Sequence, residues 1–340
     1  MNSLERLNAI ISETKRPDRI PVMPLHKVFS IKYSCFRYRE IMDDYQKFVE
    51  AQKKTYDDFK YDIIWSNSID IVAEVFGCEL KLPENDSPKF KSHPISSRTD
   101  IDKISINNIY SSKWTEYTLN ILDGLSQYFQ KEVPIASVVN SPTQTAYHLL
   151  GEKFYTAMVT DPALVKGVSR KCMKAAIEVI KDQVKAGANI IFCPNAVGSG
   201  DMISKDNYKK IISPINKELF EEIKKTGAIV IYHSCGNFSD RFDIVAKEGA
   251  DIIHLANNKN KLPPEEIYET ISGKAVIMGV VPTVEVMLEG TVDEVKSRCR
   301  NQISAYSRNK DFILSADCLL PRDVPPENVM AMVDVAKKYG

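Results

Sequence analysis

His233 and Cys235 carry side chains that bind soft metal ions, and they stand two residues apart at the end of an apolar run, 227–232. Because side chains alternate along an extended backbone, residues two apart leave the same face of a strand. Cys318 closes a second strand-like run, 311–318. If the two strand ends converge, one imidazole and two thiolates form a zinc site with an open fourth position, which is typical of catalytic zinc.

An open zinc site offers two kinds of chemistry. The ion can lower the pKa of a bound thiol from about 8.5, so that the thiolate becomes a nucleophile at neutral pH. It can also act as a Lewis acid on a bound oxygen and stabilise that oxygen as a leaving group. A structural zinc site is the alternative, but such sites usually fill all four positions with Cys and His, and no fourth partner is evident.

Eight short β-branched runs could position these residues, and helical patterns separate most of them. Asp161 and Pro162 are typical of a helix start, Gly227 of a helix end, and Thr291 with Glu294 of a capping box. Strands that alternate with helices predict right-handed βαβ units, and eight of them favour a (β/α)8 TIM barrel. The eight predicted strands are 20–24, 62–65, 133–139, 188–192, 228–232, 251–255, 275–279 and 312–316.

The segment 66–132 is too long and too polar for one crossover, with turn signals around 83–88. We interpret it as an insertion, part hairpin and part helix, that forms a lid over the C-terminal mouth of the barrel. The sequence has no second set of regularly spaced strands, and it therefore predicts a single barrel domain over residues 1–340.

Composition excludes several classes of protein. The 340 residues are 44% hydrophobic and 26% charged, which is typical of a globular chain. Lys+Arg and Asp+Glu are 45 each, so there is no basic excess for a nucleic-acid partner. No apolar run approaches the roughly 20 residues that span a membrane, and the N-terminus lacks a signal-peptide pattern. Seven cysteines without a secretory signal predict free thiols in a cytoplasmic protein.

Active sites of such barrels lie at the carboxyl ends of the strands. Two polar residues there, Asp317 and Asn195, are predicted to be catalytic, although Asp317 could equally orient its neighbours. The alternatives are ordinary strand ends for the asparagines, a loop hydrogen bond for His26, and packing or metal ligation for Cys193. The predicted substrate contacts are His26, Asn67, Asn140 and Cys193.

The chain resembles the uroporphyrinogen decarboxylase superfamily, and within it the corrinoid-dependent zinc methyltransferases. That branch includes methylcobalamin:coenzyme M methyltransferases and the methyltransferase components of O-demethylases. The resemblance implies that His233, Cys235 and Cys318 bind zinc and that a corrinoid (cobalamin) takes part. It is carried by nearly the whole chain, in particular by segments 16–22, 59–62, 187–191, 198–204, 233–237, 277–279, 288–291, 317–318 and 326–332.

Departures from the family pattern bear on the substrate. The decarboxylases carry an arginine-containing Met-Arg-Gln-Ala-Gly-Arg-Tyr segment after the first strand, whereas residues 25–33 here contain no arginine. A porphyrinogen with eight carboxylates is therefore not expected. Gly279-Val280 replaces the usual Gly-Asn, and Cys193-Pro194-Asn195 replaces an acidic position of many relatives.

These observations predict a methyltransferase that moves a methyl group between a small molecule and the cobalt of a separate corrinoid protein, since the chain lacks an Asp-x-His-x-x-Gly corrinoid-binding signature. A homodimer is possible.

Few cations are expected at the mouth apart from Lys27 and Arg322, while Phe29, Trp65 and Phe192 offer an apolar wall. A methyl ether is therefore favoured over an anionic thiol. The alternatives are a thiol methyltransferase, a decarboxylase-like lyase and a non-catalytic corrinoid-protein binder.

Overall fold

The structure, a computed structural model, describes residues 1–12, 15–66, 69–256, 262–308 and 310–340. Two strands form an antiparallel hairpin and the others form a single parallel sheet. The strands are β1 Val22–Met23, β2 Ile64–Trp65, β3 Leu80–Lys81, β4 Lys89–Phe90, β5 Ile135–Val138, β6 Ile190–Pro194, β7 Ile229–Ser234, β8 Ile252–Leu255, β9 Val276–Val281 and β10 Phe312–Ala316.

Helices follow most of the strands of the parallel sheet and cover its outer face. Short 3₁₀ segments at Arg98–Lys103, Ile106–Ser111 and Ala196–Gly198, and π-helical turns at Tyr208–Ile212 and Thr283–Leu288, supplement them. The α-helices are α1 Ser3–Ser12, α2 Lys27–Tyr33, α3 Tyr38–Asp43, α4 Tyr45–Phe59, α5 Ile71–Val75, α6 Lys113–Phe129, α7 Pro142–Leu150, α8 Lys153–Thr160, α9 Pro162–Lys185, α10 Lys205–Asn207, α11 Ser213–Lys225, α12 Phe242–Val245, α13 Pro264–Ile271, α14 Val292–Tyr306 and α15 Pro326–Tyr339.

The eight parallel strands follow the order β1-β10-β9-β8-β7-β6-β5-β2, which is the chain order of a (β/α)8 barrel. All eight correspond to strands expected from the sequence. Their inward side chains fill the barrel with a separate apolar cluster that includes Met23, Ile231, Met278 and Ile313, while the alternate residues pack under the helices.

The barrel closes between β1 and β2 through Asp62. The Asp62 backbone N–H donates to the Val22 carbonyl at 2.8 Å, and its buried carboxylate accepts from the Val22 N–H at 2.8 Å. Arg6 and Arg19 also donate to this carboxylate, each at 2.7 Å. One carboxylate therefore joins the first two strands to α1 and the loop that follows it.

Local signals in the sequence account for several helix ends. Asp161 accepts from the Leu164 N–H and caps α9, with Pro162 in the first turn. Thr291 and Glu294 form the expected capping box of α14, in which each side chain accepts from the other residue's N–H. These contacts satisfy backbone donors that a helix start leaves free.

The segment 66–132 contains two different structures. Its first part includes the β3–β4 hairpin, which contacts α3 through an ion pair of Arg37 with Glu84. It also reaches the loop after β10, where Arg322 donates to the Asn85 carbonyl. Its last part, α6, packs on α4 and α9 in the outer helical layer. α6 is therefore part of the outer helical layer, and the role of the rest of the segment as a lid stays a prediction.

Candidate metal centre and pocket

His233, Cys235 and Cys318 come together at the C-terminal end of the barrel. His233 lies on β7, Cys235 directly follows β7, and Cys318 lies two residues beyond β10. The nitrogen and sulfur atoms that they could offer to a metal all lie within 4.8 Å of one another. This is the convergence that the sequence predicted, and the donor set fits a soft divalent ion such as Zn²⁺ with one position open.

The turn after Cys235 depends on glycine. Gly236 has φ +110°, a conformation that L residues rarely adopt. A Cβ at this position would also lie 2.4 Å from the Ser199 Oγ. The chain can therefore leave β7 sharply and keep the Cys235 thiol beside His233.

A hydrogen-bond chain orients the His233 imidazole. His254 Nε2 lies 2.8 Å from the Ala316 carbonyl, which can only accept, so this nitrogen carries a proton. In the neutral ring, His254 Nδ1 then accepts from His233 Nδ1, 2.6 Å away. Burial and the neighbouring His233 lower the pKa of His254 well below its usual value, in agreement with a neutral ring. The Nε2 lone pair of His233 is thereby left for a metal.

Strands β8 and β9 leave room for the His254 ring because residue 279 is a glycine. Gly279, at φ +115°, would bring a Cβ to 2.9 Å from the His254 ring and 2.8 Å from the Leu255 carbonyl. Only a residue without a Cβ allows β8 and β9 to enclose the ring in this way.

The two cysteines favour a cation between them. The adjacent Cys235 thiol and burial raise the pKa of Cys318 above its usual value. Two thiolates within 4.8 Å of each other repel unless a positive charge neutralises them. A bound divalent cation would instead lower the pKa of both thiols.

The cluster opens into a cavity of about 290 Å³ at the barrel mouth. Its wall is predominantly apolar, and no Lys or Arg belongs to it in the described part of the chain. Trp65 and Phe192 pack edge to face at 4.9 Å and form one side. The lining residues are Leu25, Trp65, Val138, Asn140, Gln144, His148, Phe192, Pro194, Ala196, His233, Cys235, Cys318 and Leu319.

Of the other predicted site residues, Asn140 lines this cavity, whereas His26 and Cys193 do not. His26 is fully buried against Tyr61, with ring centroids 4.2 Å apart, and burial lowers its pKa to about 3. Cys193 points away from the barrel interior, because Phe192 occupies the inward position of β6. The substrate contacts predicted for these two side chains therefore have no support in their position. Asn67 lies outside the described residues.

The two predicted catalytic residues also lie outside the cavity wall. The Asp317 carboxylate accepts from the Thr283 N–H at 3.0 Å and so anchors the turn after β9; burial raises its pKa. Asn195 is completely buried and donates to Thr143 and Asn216, at 3.2 and 3.3 Å. Both side chains therefore lie behind the wall of the pocket and do not line it.

Three polar residues around the pocket were not expected from the sequence: Asp70, Gln144 and His148. Gln144 and His148 stand four residues apart on α7, which begins just after β5 ends, so both face the barrel mouth. Polar residues at that spacing, directly after a barrel strand, are the signal that could have identified them.

Comparison with known proteins identifies the family of this chain. The sequence profile described as uroporphyrinogen decarboxylase (URO-D) matches residues 2–339. The chain belongs to this family.

The names of relatives within the family state different activities. The methylcobamide:CoM methyltransferase MtbA of Methanosarcina mazei is 24% identical over 271 residues, covering 78% of this chain and 76% of that protein. The methylated-thiol–coenzyme M methyltransferase of the same organism is 24% identical over 274 residues, covering 79% and 70%. The uroporphyrinogen decarboxylase of Myxococcus xanthus is 24% identical over 290 residues, covering 82% and 78%.

Solved structures share the fold. A methyltransferase from Methanosarcina mazei superposes with a TM-score of 0.90 at 18% identity, over 100% of this chain and 99% of that one. A B12-independent methionine synthase from Shewanella sp. W3-18-1 gives a TM-score of 0.61 at 14% identity, over 88% and 89%. Separately, none of the helices among the described residues combines the length and the apolar character that a membrane span requires.

Proposed function

We propose that this protein is a zinc-dependent methyltransferase that moves a methyl group between a small molecule, with a methyl ether favoured, and the cobalt of a corrinoid on a separate protein. The observation that carries the proposal is the cluster of His233, Cys235 and Cys318, whose donor atoms lie within 4.8 Å at the edge of an apolar cavity. The name of the Methanosarcina mazei relative MtbA, a methylcobamide:CoM methyltransferase, supports the corrinoid.

The chain's own residues have distinct roles in this proposal. His233 would offer Nε2 to the ion, and the two cysteines would bind as thiolates. His254 keeps the His233 ring in the required orientation. Zinc held there would supply Lewis acidity to the heteroatom that carries or accepts the methyl group. Trp65 and Phe192 exclude water from the reacting groups on the apolar side.

The composition of the cavity wall favours an uncharged methyl ether. An anionic thiol would need a positioned Lys or Arg, and the wall in the described residues has neither. In the ether reaction the O–CH₃ bond breaks, Co(I) supplies the electron pair of the new Co–CH₃ bond, and the released oxygen takes a proton. A thiol methyltransferase is the second candidate, because two relatives are named for coenzyme M.

Cobalt spectroscopy separates the two directions. Zinc-loaded protein is mixed with cob(I)alamin and a panel of methyl ethers, and with methylcobalamin and a panel of thiols. We expect conversion of Co(I) to methyl-Co(III) with ethers, which a Cys318→Ala variant does not catalyse. Demethylation of methylcobalamin by thiols, without reaction of ethers, would replace the ether proposal by the thiol one. Turnover by metal-free protein would refute the zinc proposal.

A further inference from the structure

Asp70 organises a second polar cluster on the wall of the pocket. Its Oδ2 accepts from Asn140 Nδ2 at 2.8 Å, from Thr145 Oγ1 at 2.9 Å and from His148 Nδ1 at 2.9 Å. The Asp70 side chain is 5% exposed. Burial alone would raise the pKa of Asp70, but the hydrogen bonds from His148 and Asn140 outweigh it, and the net pKa is lowered. The Ala73 N–H donates to the other oxygen, Oδ1, at 3.1 Å, so Asp70 is a buried anion with four donors.

The hydrogen bonds that continue from Asp70 have a fixed direction. A carboxylate only accepts, so His148 Nδ1 carries a proton. At the far end, Gln144 Oε1 accepts from the backbone N–H groups of Ala196 and Val197, at 3.0 and 3.3 Å. The other amide atom of Gln144 is therefore Nε2, a donor, and it lies 3.1 Å from His148 Nε2. That ring nitrogen accepts, and the imidazole is neutral.

This direction determines what the cavity wall presents. Asn140 uses its Nδ2 on Asp70, so its Oδ1 remains as an acceptor. Gln144 uses one N–H on His148, so its second N–H remains as a donor. Both residues line the same cavity as the metal-ligand cluster. Among the described residues, neither of these two groups has a hydrogen-bond partner.

We propose that Asn140 and Gln144 form a specificity subsite for an uncharged hydroxyl group of the substrate. The hydroxyl donates to Asn140 Oδ1 and accepts from Gln144 Nε2–H, while the methyl-bearing atom faces the cysteines; this second part rests on the proposed function. A ligand without the hydroxyl leaves a desolvated donor and acceptor unpaired, which sites of this kind reject strongly. An anionic ligand would meet an acceptor backed by the Asp70 charge.

Asp70 and His148 are positioning residues in this proposal, because they act through Asn140 and Gln144. Gln144→Glu changes the subsite with little change in shape. One carboxylate oxygen can still accept from Ala196 and Val197. The other replaces both N–H donors, so His148 Nε2 must take a proton to keep its contact, and the ligand hydroxyl, which has one proton, meets acceptors on both sides. The selectivity for a hydroxyl should therefore be lost while apolar contacts remain.

Calorimetric titration of the zinc-loaded full chain, without corrinoid, tests the subsite. The probes are 2-methoxyphenol and methoxybenzene, which differ by one hydroxyl. We expect the wild type to bind 2-methoxyphenol at least about tenfold more tightly, as one well-made buried hydrogen bond implies. In Gln144→Glu the two affinities should agree within about threefold, with methoxybenzene unchanged. The matched control Gln46→Glu, on α4 outside the cavity, should keep the wild-type ratio.

Asn140→Leu provides a second variant and should also equalise the two affinities. Equal binding of both probes by the wild type, binding of neither, or an unchanged ratio in folded Gln144→Glu and Asn140→Leu would overturn the subsite. Selective binding without any methyl transfer would support the subsite and refute the proposed function. Methyl transfer without hydroxyl selectivity would refute the subsite and support the proposed function.

Discussion

His254 Nδ1 lies 2.6 Å from His233 Nδ1, and the proton between them belongs to His233 because His254 Nε2–H is held by the Ala316 carbonyl. The consequence is that His233 presents its Nε2 lone pair towards Cys235 and Cys318 in a single tautomer. A second histidine thus does for the proposed ligand what a carboxylate or carbonyl does in many zinc sites.

Removal of this contact should weaken metal binding. In His254→Phe, His233 loses its acceptor, and we expect the zinc affinity to fall roughly 10- to 100-fold. His254→Gln retains an amide oxygen for His233 and should lose less. Competition with a chromogenic chelator measures both affinities, and the melting temperatures of the metal-free variants report on folding. Zinc binding by folded His254→Phe at the wild-type affinity would contradict this role.

The cysteines should matter for metal content more than for folding. Cys235→Ala and Cys318→Ala each remove one of three ligands at the barrel mouth, whereas the apolar core lies in the barrel interior and under the helices. We expect less than stoichiometric zinc and no methyl transfer, with little change in the metal-free melting temperature. Elemental analysis and thermal melting check this.

Cys299→Ala is the matched control, because Cys299 is buried on α14. This variant should keep its zinc. Global unfolding of Cys235→Ala or Cys318→Ala would instead indicate a structural metal site.

The barrel and the metal-ligand cluster could be predicted from the sequence because their signals are local or chemically specific. Each strand is a β-branched run bounded by turn residues, and the cluster combines a His-x-Cys pair with a Cys at another strand end. Cys193 could have been excluded in the same way, since the inward position of Phe192 determines that its neighbour faces the helices.

The hydrogen-bond partners could not be predicted in this way. Asp70 and His148 are 78 residues apart, and Arg6 and Asp62 are 56 apart, so nothing local to either residue reveals its partner. Asn195 shows the same limit. It stands at a strand end, as catalytic residues do, yet its contacts with Thr143 and Asn216 lie behind the pocket.

The Asp62 carboxylate, which joins β1 to β2, should be important for stability. Asp62 is fully buried with Arg6 and Arg19 as partners, whose side chains are 6% and 15% exposed. Asp62→Asn removes the carboxylate that pairs with Arg19 and one of the two that pair with Arg6, which keeps Asp18. The change should cost about 3–5 kcal/mol, seen as a melting temperature lowered by several degrees. Asp206→Asn, at an 80% exposed site, is the control and should change little. Equal melting temperatures of the two variants would contradict this role of Asp62.

Glu248 should make stability depend on pH. It is 2% exposed, its Oε2 accepts from Tyr208 at 3.1 Å and from Asn216 at 3.0 Å, and burial raises its pKa from 4.5 to about 7. Below pH 4.5 the carboxyl is protonated in both the folded and the unfolded chain, so it contributes no pH dependence. Between about pH 4.5 and 7 the unfolded chain releases the proton while the folded chain keeps it, so the free energy of unfolding falls as pH rises.

Glu248→Gln keeps an amide oxygen for Tyr208 and Asn216 but cannot ionise. Relative to wild type, it should therefore gain stability as pH rises through this window, by roughly 2–3 kcal/mol at pH 8. The measurement is the difference in melting temperature between variant and wild type at pH 5 and at pH 8. Glu221→Gln, exposed on the same α11 that carries Asn216, should show no such change. A Glu248→Gln difference that is the same at both pH values would show that the buried carboxyl does not titrate in this range.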